Sequence, residues 1–354
     1  MTEADIKKVE EELKNTKYNK ATQAHIGKLK AKLAILNEES EKRGGKKGGG
    51  YSVKKSGDAT VVIVGFPSVG KSTLINAITK AESKVAEYDF TTLDIIPGVM
   101  EYYGAKIQVL DIPGIISEAS SGKGRGRKVL SVVRNADLIL IVAAGNSEGK
   151  IEEQVNIIEK ELYNVGLRLN EKRPDIRIYR KTKGGVNINS TVKLTRISKE
   201  EIVSVLKEFG IYNADILVRE DVSVDRFIDS FAHNRVYIPA LKVINKIDLF
   251  EPRIPNALKI SAAKGINIEK LKENIWKRLD LIRIYLKPIG KEPDMSNPLI
   301  VKNNSTVKDV CEKIHARFLN DFKYSRLWGS SKFPGQKVGL ECRLRDGDII
   351  EIHL

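Results

Sequence analysis

The sequence predicts an α/β protein built on a doubly wound, mostly parallel sheet, with smaller modules before, inside and after it. Three observations carry that reading. Short apolar runs (Val61-Val62-Ile63-Val64, Leu138-Ile139-Leu140-Ile141-Val142, Ala240-Leu241-Lys242-Val243-Ile244) alternate with stretches of helical periodicity, the pattern of strands buried on both faces. The first run feeds a glycine-bounded turn, Gly65-Phe66-Pro67-Ser68-Val69-Gly70, and then a helix opening Lys71-Ser72-Thr73-Leu74. The stretch from Asp111 to Asn245 is far longer than the one strand and two helices such a sheet needs there, so it holds an insertion.

Along the chain, Ile6, Val9 and Leu13, then Ile26, Leu29, Leu33 and Leu36, recur at three- and four-residue steps, predicting a helical hairpin over 1–43. The run Gly44-Gly45-Lys46-Lys47-Gly48-Gly49-Gly50 opens a flexible basic linker over 44–58. The sheet domain takes 59–166 and 237–286. Its further elements are a strand Lys106-Ile107-Gln108-Val109-Leu110, a helix from Ile151 to about Leu162, and a closing helix from Ile268 to about Ile284. Residues 167–236 read as a small inserted α+β module. In it, Arg177-Ile178-Tyr179-Arg180 alternates like a strand, and Ser198-Lys199-Glu200-Glu201 caps a helix carrying Ile202, Val205, Leu206 and Phe209. Pro288, Pro293 and Pro298 mark the last boundary. Over 287–354, short strands (Leu299-Ile300-Val301 and Asp348 to Ile352) surround a helix from Val307 to Phe318. A tight turn at Asp346-Gly347-Asp348 precedes the final strand, so the module reads as a ubiquitin-like β-grasp with a binding task.

Composition narrows the function. At 354 residues and 41% hydrophobic, the chain buries a sizeable core. No apolar stretch approaches a membrane span, and the N-terminus is charged and helical, so neither a membrane anchor nor a signal peptide is expected. Cys311 and Cys342 are the only cysteines, and the 4 histidines lie far apart. That argues against a disulfide framework or a metal cluster and predicts the reducing cytosol.

The chemistry lies in four short words. The turn Gly65 to Ser72 fits G-x-x-x-x-G-K-[ST], the phosphate-binding loop, in the strand–loop–helix context that the motif needs. Gly65 and Gly70 let backbone N–H groups surround a polyphosphate, with Phe66, Pro67, Ser68 and Val69 between them and Thr73 in the helix turn that follows. Lys71 is expected on the β- and γ-phosphates and the Ser72 hydroxyl on Mg²⁺. In Asp111-Ile112-Pro113-Gly114, the carboxylate at a strand end is a second Mg²⁺ holder, and Gly114 can bring its N–H to the γ-phosphate. In Asn245-Lys246-Ile247-Asp248, the Asp248 carboxylate accepts from two guanine donors that adenine cannot offer together. Asn245 ties the base to the loops and the Lys246 stem covers its face. Ser261-Ala262-Ala263 offers a backbone N–H to guanine O6. The site therefore predicts GTP rather than ATP, and an ATP-using kinase is disfavoured.

Between the first two words, Tyr88-Asp89-Phe90-Thr91-Thr92-Leu93-Asp94 holds a threonine that can meet Mg²⁺ and the γ-phosphate; Thr92 is favoured, with Thr91 in reserve. Lys71, Thr92 and Gly114 are the catalytic candidates. Ile115 stands where many small GTPases place a water-orienting glutamine, and isoleucine cannot hydrogen-bond a water. Slow intrinsic hydrolysis is expected. The loop Ser120 to Arg127 is small and basic; Arg125 or Arg127 is either a charge stabiliser or part of a solvated loop.

The net charge of +15 points to a polyanionic partner. Arg168 to Lys199 holds ten Lys/Arg against two Asp/Glu, with Arg173, Arg177, Arg180, Lys181 and Lys183 among them. RNA phosphates suit this patch, a solvated basic face being the plain alternative.

Taken together, Gly65–Ser72, Tyr88 to Pro97 with Ile96-Pro97-Gly98, Asp111–Ile115, Gly124-Arg125-Gly126-Arg127 and Asn245–Asp248 resemble the developmentally regulated GTP-binding protein family, of the Obg-type GTPase branch. The likeness spans nearly the whole chain. Thr22 to Leu33 resembles the family's N-terminal helical segment. Phe322-Lys323-Tyr324, Leu327-Trp328-Gly329 and Val338-Gly339-Leu340 resemble its C-terminal TGS domain, and the insert sits where the family has a ribosomal-protein-S5-like insertion. The resemblance implies a cytoplasmic, Mg²⁺-dependent GTPase that converts GTP to GDP and associates with ribosomes or rRNA in translation. The contacts would come from the insert, the N-terminal helices and the TGS domain, without membrane or DNA. It also implies Thr92 as the switch threonine and leaves room for a regulatory protein partner. Some relatives use K⁺ held by a phosphate-loop asparagine; this chain has Ser68 there, so that residue does not secure K⁺. The competing reading is an RNA-binding or ribosome-assembly module in which nucleotide has a mainly structural role.

Overall fold

A computed structural model describes residues 3–17, 19, 22–44, 57–79, 96–111 and 133–354. They divide between two compact units, Met1–Gly50 with Gly166–Tyr237, and Tyr51–Val165 with Ile238–Leu354.

In the second unit, the apolar runs form a six-stranded sheet. Its strands are β1 (Ala59–Gly65), β2 (Ile96–Tyr102), β3 (Ala105–Asp111), β4 (Leu138–Ala143), β10 (Ala240–Ile244) and β11 (Leu258–Lys259), in the order β11-β10-β4-β1-β3-β2. All neighbours are parallel except β2, which folds back on β3. Strand order reverses at β1, which has β3 on one side and β4 on the other. In open α/β sheets the loops beyond such a reversal form the ligand crevice. The core beneath includes Val61, Ile63, Leu74, Ile107, Leu140 and Val243, together with Leu271, Ile275 and Leu279 of the helix Ile268–Leu279.

That helix is shorter than its sequence suggests. Expected to run to about Ile284, it stops at Leu279, where Asp280 turns into the left-handed region (φ 52°). The next residues form β12 (Leu281–Leu286), which pairs antiparallel with β13 (Leu299–Lys302) and parallel with β16 (Ile349–His353). With β14 (Tyr324–Trp328) and β15 (Gln336–Val338) they make a five-stranded sheet over the helix Val307–Ile314, the β-grasp arrangement. Thr306 and Asp309 form a capping box on that helix.

The first unit joins the N-terminal helices to the insert. The expected hairpin is there, Glu3–Asn15 against Gln23–Gly44, sealed by Val9, Leu29 and Leu36 with Ile6, Leu13 and Leu33. The second helix also carries Ala31 and Ala34 into a core with Ile202, Val205 and Leu206 of the helix Lys199–Glu208. These small side chains permit close approach, as does Gly27, whose added Cβ would sit 3.6 Å from Val205. Hairpin and insert are far apart in sequence and read there as separate modules, but they share one core. The insert opens on β5 (Leu167–Leu169), which pairs with β9 (Val236–Ile238), and adds β6 (Ile176–Arg180), β7 (Val186–Ser190) and β8 (Ala214–Val218) in the order β6-β8-β7; Ser198 caps its helix with both halves of the capping box.

Candidate nucleotide site

The loop after β1 is shaped by residues that accept unusual backbone angles. Ser68 lies at φ 64° and Gly70 at φ 89°, both left-handed. Gly70 ends the loop and opens the helix Lys71–Ile78. A Cβ on Gly70 would lie 2.6 Å from Asn245 Nδ2, and one on Gly65 2.4 Å from the Val142 carbonyl, so both positions also exclude side chains by space. Lys71 Nζ donates to the carbonyls of Gly65 (3.1 Å) and Phe66 (3.2 Å), placing its charge inside the loop. Ser72 and Thr73 stand exposed in the first helical turn.

Asn245, at the end of β10, is 3% exposed and joins two parts of the site. Its Nδ2 donates to the Val69 carbonyl at 3.0 Å, and its Oδ1 accepts from the Ala262 N–H at 3.0 Å. One side chain therefore fixes the phosphate loop to the Ser261-Ala262-Ala263 turn. Lys246 follows at φ 64° and donates from Nζ to the Ser68 carbonyl at 2.7 Å.

The two acids of the site have opposite environments. Asp111 ends β3, is 5% exposed, and its Oδ1 has no hydrogen-bond partner among the described residues. Burial pushes its carboxyl above the ordinary range, against the pull of Lys71 and a hydrogen bond from Ser72. Asp248 is held below the ordinary range, first by a hydrogen bond from the Ser261 hydroxyl. That hydroxyl also accepts from the Lys264 N–H at 3.2 Å, which orients it. The sequence word points to a backbone N–H at Ser261-Ala262-Ala263 and carries no signal for the Ser261 side chain's work on Asp248, which needs two loops to meet. The Ser261 N–H itself pairs with the Ile266 carbonyl, so it is not the donor for O6.

Thr91, Thr92, Ile112, Pro113, Gly114, Ile115, Arg125 and Arg127 lie outside the described residues. The basic segment divides. Arg168 is buried and bound by Asp229 through two hydrogen bonds (2.5 and 2.8 Å), which removes it from any surface patch. Lys181 pairs with Asp215, whereas Arg177, Arg180 and Lys183 are exposed. No group of acids, histidines and cysteines able to hold a metal ion by itself occurs among the described residues, nor is any helix there long and apolar enough to cross a membrane.

Known proteins share this organisation. Residues 60–181 match a family described as 50S ribosome-binding GTPase, 183–281 one described as the C-terminal region of MMR_HSR1 domain, and 282–354 the TGS domain. An uncharacterized GTP-binding protein of Methanocaldococcus jannaschii is 54% identical, over 99% of this chain and 92% of its own length. Developmentally-regulated GTP-binding protein 2 of Homo sapiens is 45% identical, and GTP-binding protein 1 of Schizosaccharomyces pombe 46%, each over 98% of both chains. Among solved structures, the S. pombe YchF GTPase aligns with a TM-score of 0.46 at 14% identity, covering 85% of this chain and 99% of its own. With its phosphate loop, its Asn245–Asp248 word and its TGS domain, the chain belongs to the developmentally regulated GTP-binding protein family of P-loop GTPases.

Proposed function

We propose that this GTP-binding protein is a cytoplasmic switch that hydrolyses GTP slowly on its own and acts on ribosomes during translation. The observation that carries the switch is Asp111, a buried carboxylate at a strand end whose Oδ1 lacks a partner among the described residues, beside Ser72 at the foot of the phosphate loop. A carboxylate and a hydroxyl are hard oxygen donors, the set that fits Mg²⁺, and the orphaned oxygen gives the fit its physical content. Ser72 and Asp111 would hold the ion, with Thr92 as the third holder; it would supply neutralisation of charge on the β- and γ-phosphate oxygens. Lys71 adds a fixed cation, Gly114 a backbone N–H, and Asp248 selects guanine. Ser68 does not by itself call for K⁺. Because Ile115 cannot position a water, a partner, another side chain or a second cation would have to speed hydrolysis.

The ribosome enters from two directions. The family matched over 60–181 is described as ribosome-binding, and the net charge of +15 suits a polyanionic surface. Co-sedimentation of the full chain with ribosomes, in the presence of a GTP analogue or GDP, tests the switch. Different affinity in the two states is expected; equal affinity overturns it, since a ligand without differential affinity shifts nothing. For Ile115, fast multiple turnover by the purified chain, with no partner and no special monovalent cation, would overturn the slow-hydrolysis assignment.

A further inference from the structure

The three-stranded sheet of the insert has one covered face and one open face. Side chains alternate along a strand, so the residues that enter the core define the face that does not. Ile176 and Ile178 of β6, Ala214, Ile216 and Val218 of β8, and Val186 and Ile188 of β7 all pack into the core with the helices. The opposite face is a grid of two rows set by the register: Arg177–Leu217–Asn189 and Tyr179–Asp215–Asn187.

This face has a definite chemistry. The Tyr179 ring is 56% exposed, and Arg177, Asn187 and Asn189 are exposed beside it. The one acid of the grid, Asp215, is neutralised in place: Lys181 pairs with it, and Asn187 Nδ2 donates to its Oδ1 at 3.2 Å. The Arg177 and Asn189 side chains make no hydrogen bond or ion pair among the described residues, and Lys183 stands exposed in the turn beyond the strand; Arg180, in step with Ile176 and Ile178, belongs to the other face, where it lies near Glu38, Glu39 and Glu208. The platform is thus cationic, with a ring for stacking and amides able both to donate and to accept.

We propose that this open face binds unpaired RNA, with a base stacked on Tyr179, a phosphate on Arg177, and base edges read by Asn189. Duplex RNA keeps its bases stacked inside and shows mainly backbone, so it would use the arginine and leave the tyrosine idle. An acidic peptide would do the same. The inference rests on the reading that the insert meets RNA, and it adds the form of RNA and the residues that select it.

Fluorescence anisotropy of the full chain with a short labelled unpaired oligoribonucleotide, and with a duplex of the same length, tests it. Unpaired RNA should bind more tightly. Tyr179→Ala should lose about tenfold in affinity for it and little for the duplex, while Tyr179→Phe, which keeps the ring, should retain it. Arg177→Ala should lower the slope of log affinity against log salt by about one. The tyrosine is exposed, so these variants should bind GTP as the parent does, which checks their fold. Equal binding of both RNAs, an unaffected Tyr179→Ala, or equal competition by polyglutamate would overturn the platform. Ribosome sedimentation separates the two readings. If the parent chain fails to sediment but binds unpaired RNA through Tyr179, the platform stands and the ribosome reading falls. If Tyr179→Ala sediments as the parent does and binds the oligonucleotide unchanged, the platform falls alone.

Discussion

The base end and the phosphate end of the site are built on opposite principles. At the base end, the protein satisfies its own groups: Asn245 bonds on both sides of its amide, and the Ser261 hydroxyl donates to Asp248. At the phosphate end, Asp111 sits buried beside a single hydroxyl, its carboxyl pushed toward the neutral form, while Lys71 rests on the loop's own carbonyls. The difference separates recognition from signalling. A pre-organised end recognises the same base in every nucleotide state, because its geometry costs little to present. An end whose charges are poorly compensated is the one whose energetics change with the number of phosphates.

The sharpest way to break the comparison is Asp248→Ala. Removing the carboxylate proposed to accept two guanine donors should weaken GTP and GDP alike, by about a hundredfold, because both bonds would be charge-assisted. Isothermal titration calorimetry measures this. Loss confined to GTP would show that the base end senses state after all. Asn245→Ala comes next. It leaves the Val69 carbonyl and the Ala262 N–H without their partner, and buried groups left unpaired cost about 1–3 kcal/mol each. Thermal unfolding without nucleotide should show a destabilisation of about 2–3 kcal/mol. Gly70→Ala attacks the same joint from the loop. A left-handed alanine costs about 1–2 kcal/mol, and its Cβ meets Asn245 at 2.6 Å, so denaturant melts should show at least that loss.

Asp111→Asn should have the opposite sign in the protein without ligand. Replacing a buried, under-compensated carboxylate by an amide should raise stability by about 1 kcal/mol, whereas the gain in Tm produced by Mg²⁺ with GTP in the parent should shrink. An unchanged gain would mean that Asp111 is not a holder of the ion.

How much of this was legible follows from how local each feature is. The phosphate loop could be read because strand, turn and helix adjoin in sequence, and β1 and β4 because each holds an uninterrupted apolar run. The contact of Ala31 and Ala34 with Ile202 and Val205 could not, since the two helices meet only through tertiary packing. The end of the helix at Leu279 was hidden for another reason. Leu271, Ile275, Leu279 and Ile282 keep a helical spacing, and only pairing with β13 pulls Ile282 into a strand. Arg168 shows the limit of counting charges, because it lies in the most basic stretch of the chain yet is 3% exposed, locked on Asp229.

The smallest predicted effect is the most specific to the base end. Asp248 keeps its charge to a lower pH in the folded protein than in an unfolded chain, first because the Ser261 hydroxyl donates to it. For a depressed carboxyl, the stabilisation is fully present above the ordinary value of 3.8 and is lost as pH falls through the lower folded value. Ser261→Ala removes the first cause of the depression, so the Asp248 titration should move up toward 3.8, which carboxyl NMR resolves directly. At neutral pH both forms of the protein keep Asp248 ionised, so GTP affinity should change only through orientation of the carboxylate, by a few-fold at most. A titration that stays in place would return the low pKa to its smaller causes, the backbone N–H of Asp248 itself and the neighbouring Lys264 and Lys246. A loss of GTP affinity as large as that of Asp248→Ala would instead make the hydroxyl part of base recognition itself, and the base end would then depend on ligand no less than the phosphate end does.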